Sequence, residues 1–181
     1  ACYCLRSQAS CRETEMGRSM GDDSTAEELA LDGARELLER APLLRLAYTG
    51  TDGSPRVIPI GFWWNGSELV FCTAVTSPKV RALAERPEVA VTIDVGNTPA
   101  DAEALLVRGV ARLETVDGIP EEYISASAKA LGPEEVAVFR DSVTGMYDQM
   151  VRISVRPTWA RYFDFGAGRL PGFLQDLVDG R

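Results

Sequence analysis

Two tight-turn dipeptides, Asp52-Gly53 and Asn65-Gly66, each set between runs of strand-forming residues, restrict this chain more than any other feature. Asp-Gly and Asn-Gly favour the positive φ that short hairpin turns require, so each joins antiparallel neighbours. The runs Leu43 to Thr51, Arg56 to Trp64 and Glu68 to Ala74 therefore read as three strands, two consecutive hairpins in an antiparallel meander. Pro59 inside the second run cannot donate to a ladder. It predicts an edge, a bulge, or backbone that faces something other than a neighbouring strand. Val89 to Val95, Ala104 to Val116 and Met150 to Asp164 read as three further strands, the last interrupted around Pro157.

Helical pattern is confined to the gaps between these runs. From Ser24, with capping-box spacing at Ser24/Glu27 or Thr25/Glu28, Leu29, Leu31, Ala34, Leu37 and Leu38 fall near one face before Pro42 stops the helix. Ser77 suits an N-cap and Pro78 the first position of a short helix that ends at Pro87. Ile119 to Arg140 reads as two helical pieces broken at Gly132-Pro133, and Leu170 to Val178 is an apolar tail expected to dock on the body or on a partner. Six strands with few, peripheral helices predict a mainly β fold, an antiparallel barrel closed or nearly closed.

With 181 residues the chain is long enough for one domain with a sizeable core. Residues 1–23 read as an arm outside it, disordered or non-native, and 24–181 as the single domain. The arm carries Cys2, Cys4 and Cys11 among polar residues, with Met16 or Met20 as the expected natural start. The one cysteine of the body, Cys72, predicts a reducing, cytoplasmic setting. No apolar run is long enough for a transmembrane helix, so no membrane partner is expected. A net charge of -8 argues against nucleic acid as a partner. Histidine is absent altogether, which excludes Ser-His-Asp and Cys-His catalytic units and every His-ligated metal or haem site. No metal site is expected.

Chemistry is concentrated where the third strand meets the short helix. A helix N-terminus attracts phosphate through its unpaired N–H groups and partial positive charge. Thr73, Thr76 and Ser77 add hydroxyls there, Lys79 and Arg81 add charge, and Arg56 at the head of the neighbouring strand is expected to join them. The run Phe71-Cys72-Thr73-Ala74-Val75-Thr76-Ser77-Pro78-Lys79, with Val80 to Ile93 behind it, resembles the phosphate-binding segment of the pyridoxamine 5'-phosphate oxidase-like superfamily. Arg56-Val57-Ile58-Pro59-Ile60 is similar to that family's strand bordering the flavin ring.

The resemblance implies a six-stranded antiparallel split β-barrel that works as a homodimer, with FMN or the deazaflavin coenzyme F(420) at the dimer interface. It implies cofactor contacts from Arg56, Val57, Ile58, Pro59, Cys72, Thr73, Ser77, Lys79 and Val80. Two peptide donors near Val57 to Pro59 are expected on the polar edge of the ring. Trp63 and Trp159, with Phe62 and Trp64, are candidate walls of a pocket for a small-molecule substrate, and no residue is assigned a catalytic role. Tyr48, Tyr162 and Asp164 are the available proton donors. Cys72 is read as a small buried hydrophobe rather than a redox thiol.

Three departures separate the chain from pyridoxamine phosphate oxidation itself. Pro78 replaces the family's phosphate-binding arginine, Gly61 its substrate-contacting lysine, and Ala104 its glutamine. The segment Asp-Gly-x-Pro-Arg followed by Phe62-Trp63-Trp64-Asn65-Gly66 looks more like the flavin/deazaflavin oxidoreductase branch. That branch implies hydride transfer between the cofactor and a small molecule, the alternative being a non-catalytic carrier or sensor.

Overall fold

Both expected turns form, Gly53 and Gly66 taking φ of 81° and 95°, but they do not make a meander. The computed structural model describes residues 20–180. Its elements in chain order are α1 (Met20–Ala30), α2 (Asp32–Arg40), β1 (Leu43–Thr49), β2 (Pro55–Gly61), β3 (Trp63–Trp64), β4 (Leu69–Ala74) and α3 (Pro78–Glu85). There follow β5 (Glu88–Val95), β6 (Glu103–Asp117), α4 (Glu121–Ala128), α5 (Pro133–Thr144), β7 (Gln149–Asp164) and α6 (Gly172–Val178). Of the arm expected over residues 1–23, residues 1–19, with the three cysteines and the candidate start Met16, lie outside the described residues, while the rest, from the other candidate start Met20, belongs to α1.

All strands belong to one antiparallel sheet in the order β2-β1-β5-β6-β7-β4-β3. The expected second strand is two strands, so the sheet has seven rather than six. The chain turns at Phe62, which is fully buried. Its first half pairs with β1 and its second with β4, at opposite ends of the sheet. Tertiary packing of Phe62 overrides the continuous strand pattern. The ladder is open between β2 and β3, and a single residue of chain spans the gap: a split barrel.

Alternation fills the interior. Leu44, Leu46, Val91, Ile93, Leu105 and Val107 point inward among buried neighbours. In β7 the inward residues are Val151, Ile153 and Val155, then Ala160 and Tyr162. The change of parity comes from a bulge: Arg108 opposes Trp159 and Gly109 opposes Pro157, leaving Thr158 as the extra residue. Without it Trp159 and Arg161 would be driven into the core. Gly109 is needed there, because a Cβ would stand 2.5 Å from the Arg156 carbonyl.

The first helix departs from its expected form. It begins at Met20, upstream of Ser24, and breaks at Leu31 into α1 and α2. Glu28 is therefore no capping-box residue. Its carboxylate is buried against the free side of β7, where β4 has already ended. It accepts the Tyr162 N–H at 2.9 Å and guanidinium bonds from Arg161 at 2.9 Å and Arg169 at 2.7 Å. α1 thus takes the place of a strand along that edge. The apolar tail forms α6, and Phe173, Leu177 and Val178 remain about 70% exposed, so of the two docking places expected for it, the body and a partner, the body does not cover these residues. Among the described residues no helix is long and apolar enough to cross a membrane.

Candidate functional site

The site begins at the C-terminal end of β4. Thr73 opposes Val151 of β7, after which a tight turn, closed by Ser77 N–H to the Ala74 carbonyl at 3.0 Å, reverses the chain into α3. Ser77 stands at the N-cap and Pro78 at the first helical position, as expected. The Ser77 hydroxyl does not cap the helix. It accepts instead from Lys79 Nζ at 2.8 Å, and the same ammonium donates to Thr73 Oγ1 at 2.9 Å.

Two consequences follow from this geometry. The hydroxyl oxygens are used as acceptors, so both hydroxyl protons are free to donate outward. Lys79 is half-buried and has no carboxylate partner among the described residues, and burial pushes its pKa down. An anion brought to this corner would meet an unneutralised ammonium and two oriented hydroxyls. The donor set fits a phosphate group.

The second part of the site is the outer edge of β2. Gly50 N–H donates to the Ser54 carbonyl at 2.8 Å, so that pair is hydrogen-bonded. Alternation makes Tyr48–Arg56, Leu46–Ile58 and Leu44–Ile60 the hydrogen-bonded pairs as well. Pro55, Val57 and Pro59 lie between them and turn their backbone groups outward. Proline brings no N–H, so between the two prolines Val57 carries the only outward donor. This corrects the expectation of two peptide donors: Ile58 N–H is spent on β1. Val57 itself is 66% exposed.

Other expected contributors are drawn elsewhere. Arg56 pairs with Asp52 across its turn at 2.8 Å and not with the lysine corner. Arg81 pairs with Glu85 at 3.1 Å, and Arg86 donates to the Gly50 carbonyl at 3.0 Å. Val80 is half-buried and packs on the core, its N–H bonded to the Ser77 carbonyl at 2.9 Å. Cys72 is buried on the face of β4 opposite to Thr73. Burial, reinforced by the nearby Glu122 carboxylate, pushes its thiol up to about 12, which agrees with an inert hydrophobe. Tyr162 is buried and donates to Glu103 at 2.8 Å; burial first and then that carboxylate raise its pKa, which removes it as a ready proton donor.

The tryptophans divide. Phe62 is core and no pocket wall. Trp63 is partly exposed, its ring 6.0 Å from Lys129 Nζ, while Trp159 lies on the outer face of the sheet with the Arg108 guanidinium 4.5 Å over its ring. No described contact brings Trp63 and Trp159 together. Trp64 lines a groove of about 630 Å³ beside α1 and α2. Sequence reasoning missed Lys129, whose ammonium sits 3.7 Å over the Phe62 ring and donates to the Leu38 carbonyl at 2.7 Å. Nothing in its local sequence marks it, since its partners are about 90 residues upstream.

Comparison with known proteins bears on the same residues. The profile of the pyridoxamine 5'-phosphate oxidase family matches residues 31–162. No curated protein matches the chain. Among solved structures, an F(420) reductase is 29% identical, with 72% of this chain and 97% of that one covered and a TM-score of 0.54. A conserved hypothetical protein of Mycobacterium tuberculosis is 22% identical, with 76% and 88% covered and a TM-score of 0.59. A heme storage protein of Vibrio cholerae is 20% identical, with 69% and 87% covered and a TM-score of 0.51. The last two establish likeness of fold alone.

Proposed function

The chain belongs to the pyridoxamine 5'-phosphate oxidase family, and from that premise we propose that it is an oxidoreductase that binds a flavin-type cofactor and passes a hydride between it and a small molecule. The observation that carries the reading is the lysine corner: a half-buried ammonium with no carboxylate partner among the described residues, held by two hydroxyls at the start of a helix. Lys79, Thr73 and Ser77 would hold the cofactor's phosphate, and Val57 N–H would donate to the polar edge of its ring. Of the two cofactors, the likeness to an F(420) reductase over nearly all of that protein's length favours the deazaflavin over FMN.

The bound cofactor supplies the hydride chemistry, so histidine is not required. The protein's part is placement. Pro55 and Pro59 keep other strands off the β2 edge, which leaves Val57 N–H for a ligand. Burial of Lys79 strengthens its attraction for phosphate, because fewer waters compete. Cys72 and Tyr162 take no part.

A homodimer completes the reading. The outer sheet face presents Leu43, Val57 and Val110, each 45–66% exposed, beside the half-buried Trp159. Such a surface supports burial against a second copy. Among the described residues the one cysteine, Cys72, is free and buried, which fits a reducing cytoplasmic setting.

The test is spectroscopic. Protein purified from a host that makes both cofactors should carry the single visible band of the deazaflavin, and fluorescence titration should show F(420) binding more tightly than FMN. Lys79→Ala should weaken that binding by about 1.5–3 kcal/mol, the loss of a charge-assisted contact. Binding of neither cofactor would overturn the proposal, and an unchanged dissociation constant in the variant would remove Lys79 from the site. Light scattering should give twice the mass of the chain; a stable monomer would contradict the dimer.

A further inference from the structure

The groove beside Trp64 lies at the other end of β4 from the lysine corner. Leu69 to Thr73 alone is about 13 Å of strand, at about 3.3 Å per residue, so the two are separate sites. The groove opens where β7 changes partner. Up to Val155 its edge is paired with β4, and beyond Pro157 α1 takes over. Pro157, which has no N–H to satisfy, occupies the junction.

The floor is apolar: Leu29 of α1, the Trp64 ring and buried Pro157. Two arginines line its walls, Arg35 on α2 and Arg156 on β7. Each is exposed, and neither has a hydrogen-bond or ion-pair partner among the described residues. The other arginines of α2 and β7 are all engaged: Arg40 with Glu103, Arg152 with Glu122, Arg161 with Glu28. Glu39 also reaches this wall, one turn after Arg35, without pairing to it. Two unpaired arginines lining one apolar bowl, in a chain of net charge -8, are complementary to an anion with an apolar body.

We propose that this groove binds a small organic monoanion, an apolar body laid on Leu29, Trp64 and Pro157 with its carboxylate or similar acid group held between Arg35 and Arg156. Guanidinium favours such groups because its planar donors match two oxygens at once. Glu39 opposes binding and sets the upper limit on ligand charge.

The experiment uses two dyes with one apolar body, 8-anilinonaphthalene-1-sulfonate and the neutral N-phenyl-1-naphthylamine, titrated by fluorescence into the full chain. The sulfonate should bind at least about tenfold tighter than the neutral dye, as expected for one or two hydrogen bonds to a charged group. The double variant Arg35→Gln/Arg156→Gln should erase that ratio and leave the neutral dye unaffected, and Glu39→Gln should increase it. Ala26→Phe, which fills the groove from α1, should abolish binding of both dyes, with its fold checked by circular dichroism. A ratio that survives the double arginine variant overturns the proposal. So does sulfonate binding that persists in folded Ala26→Phe, or failure of both dyes to bind the native chain. None of these outcomes touches the reading of the lysine corner, whose test is cofactor binding.

Discussion

The sheet has two kinds of free edge, and the chain treats them differently. Along the C-terminal half of β7, α1 closes the edge with a buried carboxylate: Glu28 takes up the Tyr162 N–H and draws Arg161 and Arg169 over it. Along β2 nothing covers the edge. Pro55 and Pro59 make it unfit for another strand, and Val57 N–H is left between them. An unpaired edge is a liability that a protein must cover or blunt. Covering gives the Tyr162 N–H a buried acceptor and yields stability. Blunting leaves one donor accessible, which is the condition for using it on a ligand. The open edge ends at the Phe62 bend, under Lys129.

The largest expected effect is on the covered edge. Glu28→Ala leaves the Tyr162 N–H unsatisfied and two guanidiniums without their carboxylate, and should lower stability to chemical denaturation by about 2–4 kcal/mol. Burial works to raise the Glu28 pKa, but the Tyr162 N–H and the Arg169 and Arg161 guanidiniums outweigh it and hold it below its ordinary value. Its contribution is therefore complete above pH 4.5 and lost as pH falls through the depressed value. Native chain and Glu28→Gln should converge in stability on acidification. If they stay parallel, the covered edge does not depend on the charge.

A smaller effect is expected on the open edge. Val57→Pro removes the outward N–H without disturbing the bonds to β1, so stability should change by less than about 1 kcal/mol while cofactor affinity falls about tenfold, the worth of one hydrogen bond to a polar ring edge. Unfolding of this variant would show that Val57 N–H is engaged within the fold and that the edge is not open.

The last effect is confined to alkaline pH and concerns the bend at Phe62. Burial lowers the Lys129 pKa to about 8, with Glu39 opposing, against 10.5 for a free lysine. The unfolded chain then binds more protons between these values, so stability should rise with pH across that window. Lys129→Met should flatten the rise, followed as thermal midpoint against pH. A slope unchanged by the variant would detach Lys129 from the bend.

Much of this was legible without coordinates. Turn dipeptides and alternating apolar residues are local signals, and they located both hairpins, five of the strands nearly to their ends and the Ser77-Pro78 helix start. The same local chemistry drew attention to Thr73, Ser77 and Lys79, which lie within seven residues of one another. What stayed hidden depends on residues far apart in the chain. Arg56 has the composition of a phosphate ligand, but Asp52 claims it. Glu28 has capping-box spacing, but a strand edge more than 130 residues later needs its carboxylate.

By itself, then, the sequence determined the class of the fold, the positions of its turns and the polar cluster at the end of β4, because propensity and alternation act between near neighbours. Only the tertiary structure decided that the strand around Phe62 divides between the two ends of the sheet. It also decided that one edge is sealed and the other open, and that Arg35 and Arg156 line the same groove. Those outcomes depend on packing volume and on which distant group reaches an unsatisfied donor first, and neither is written in any short stretch of chain.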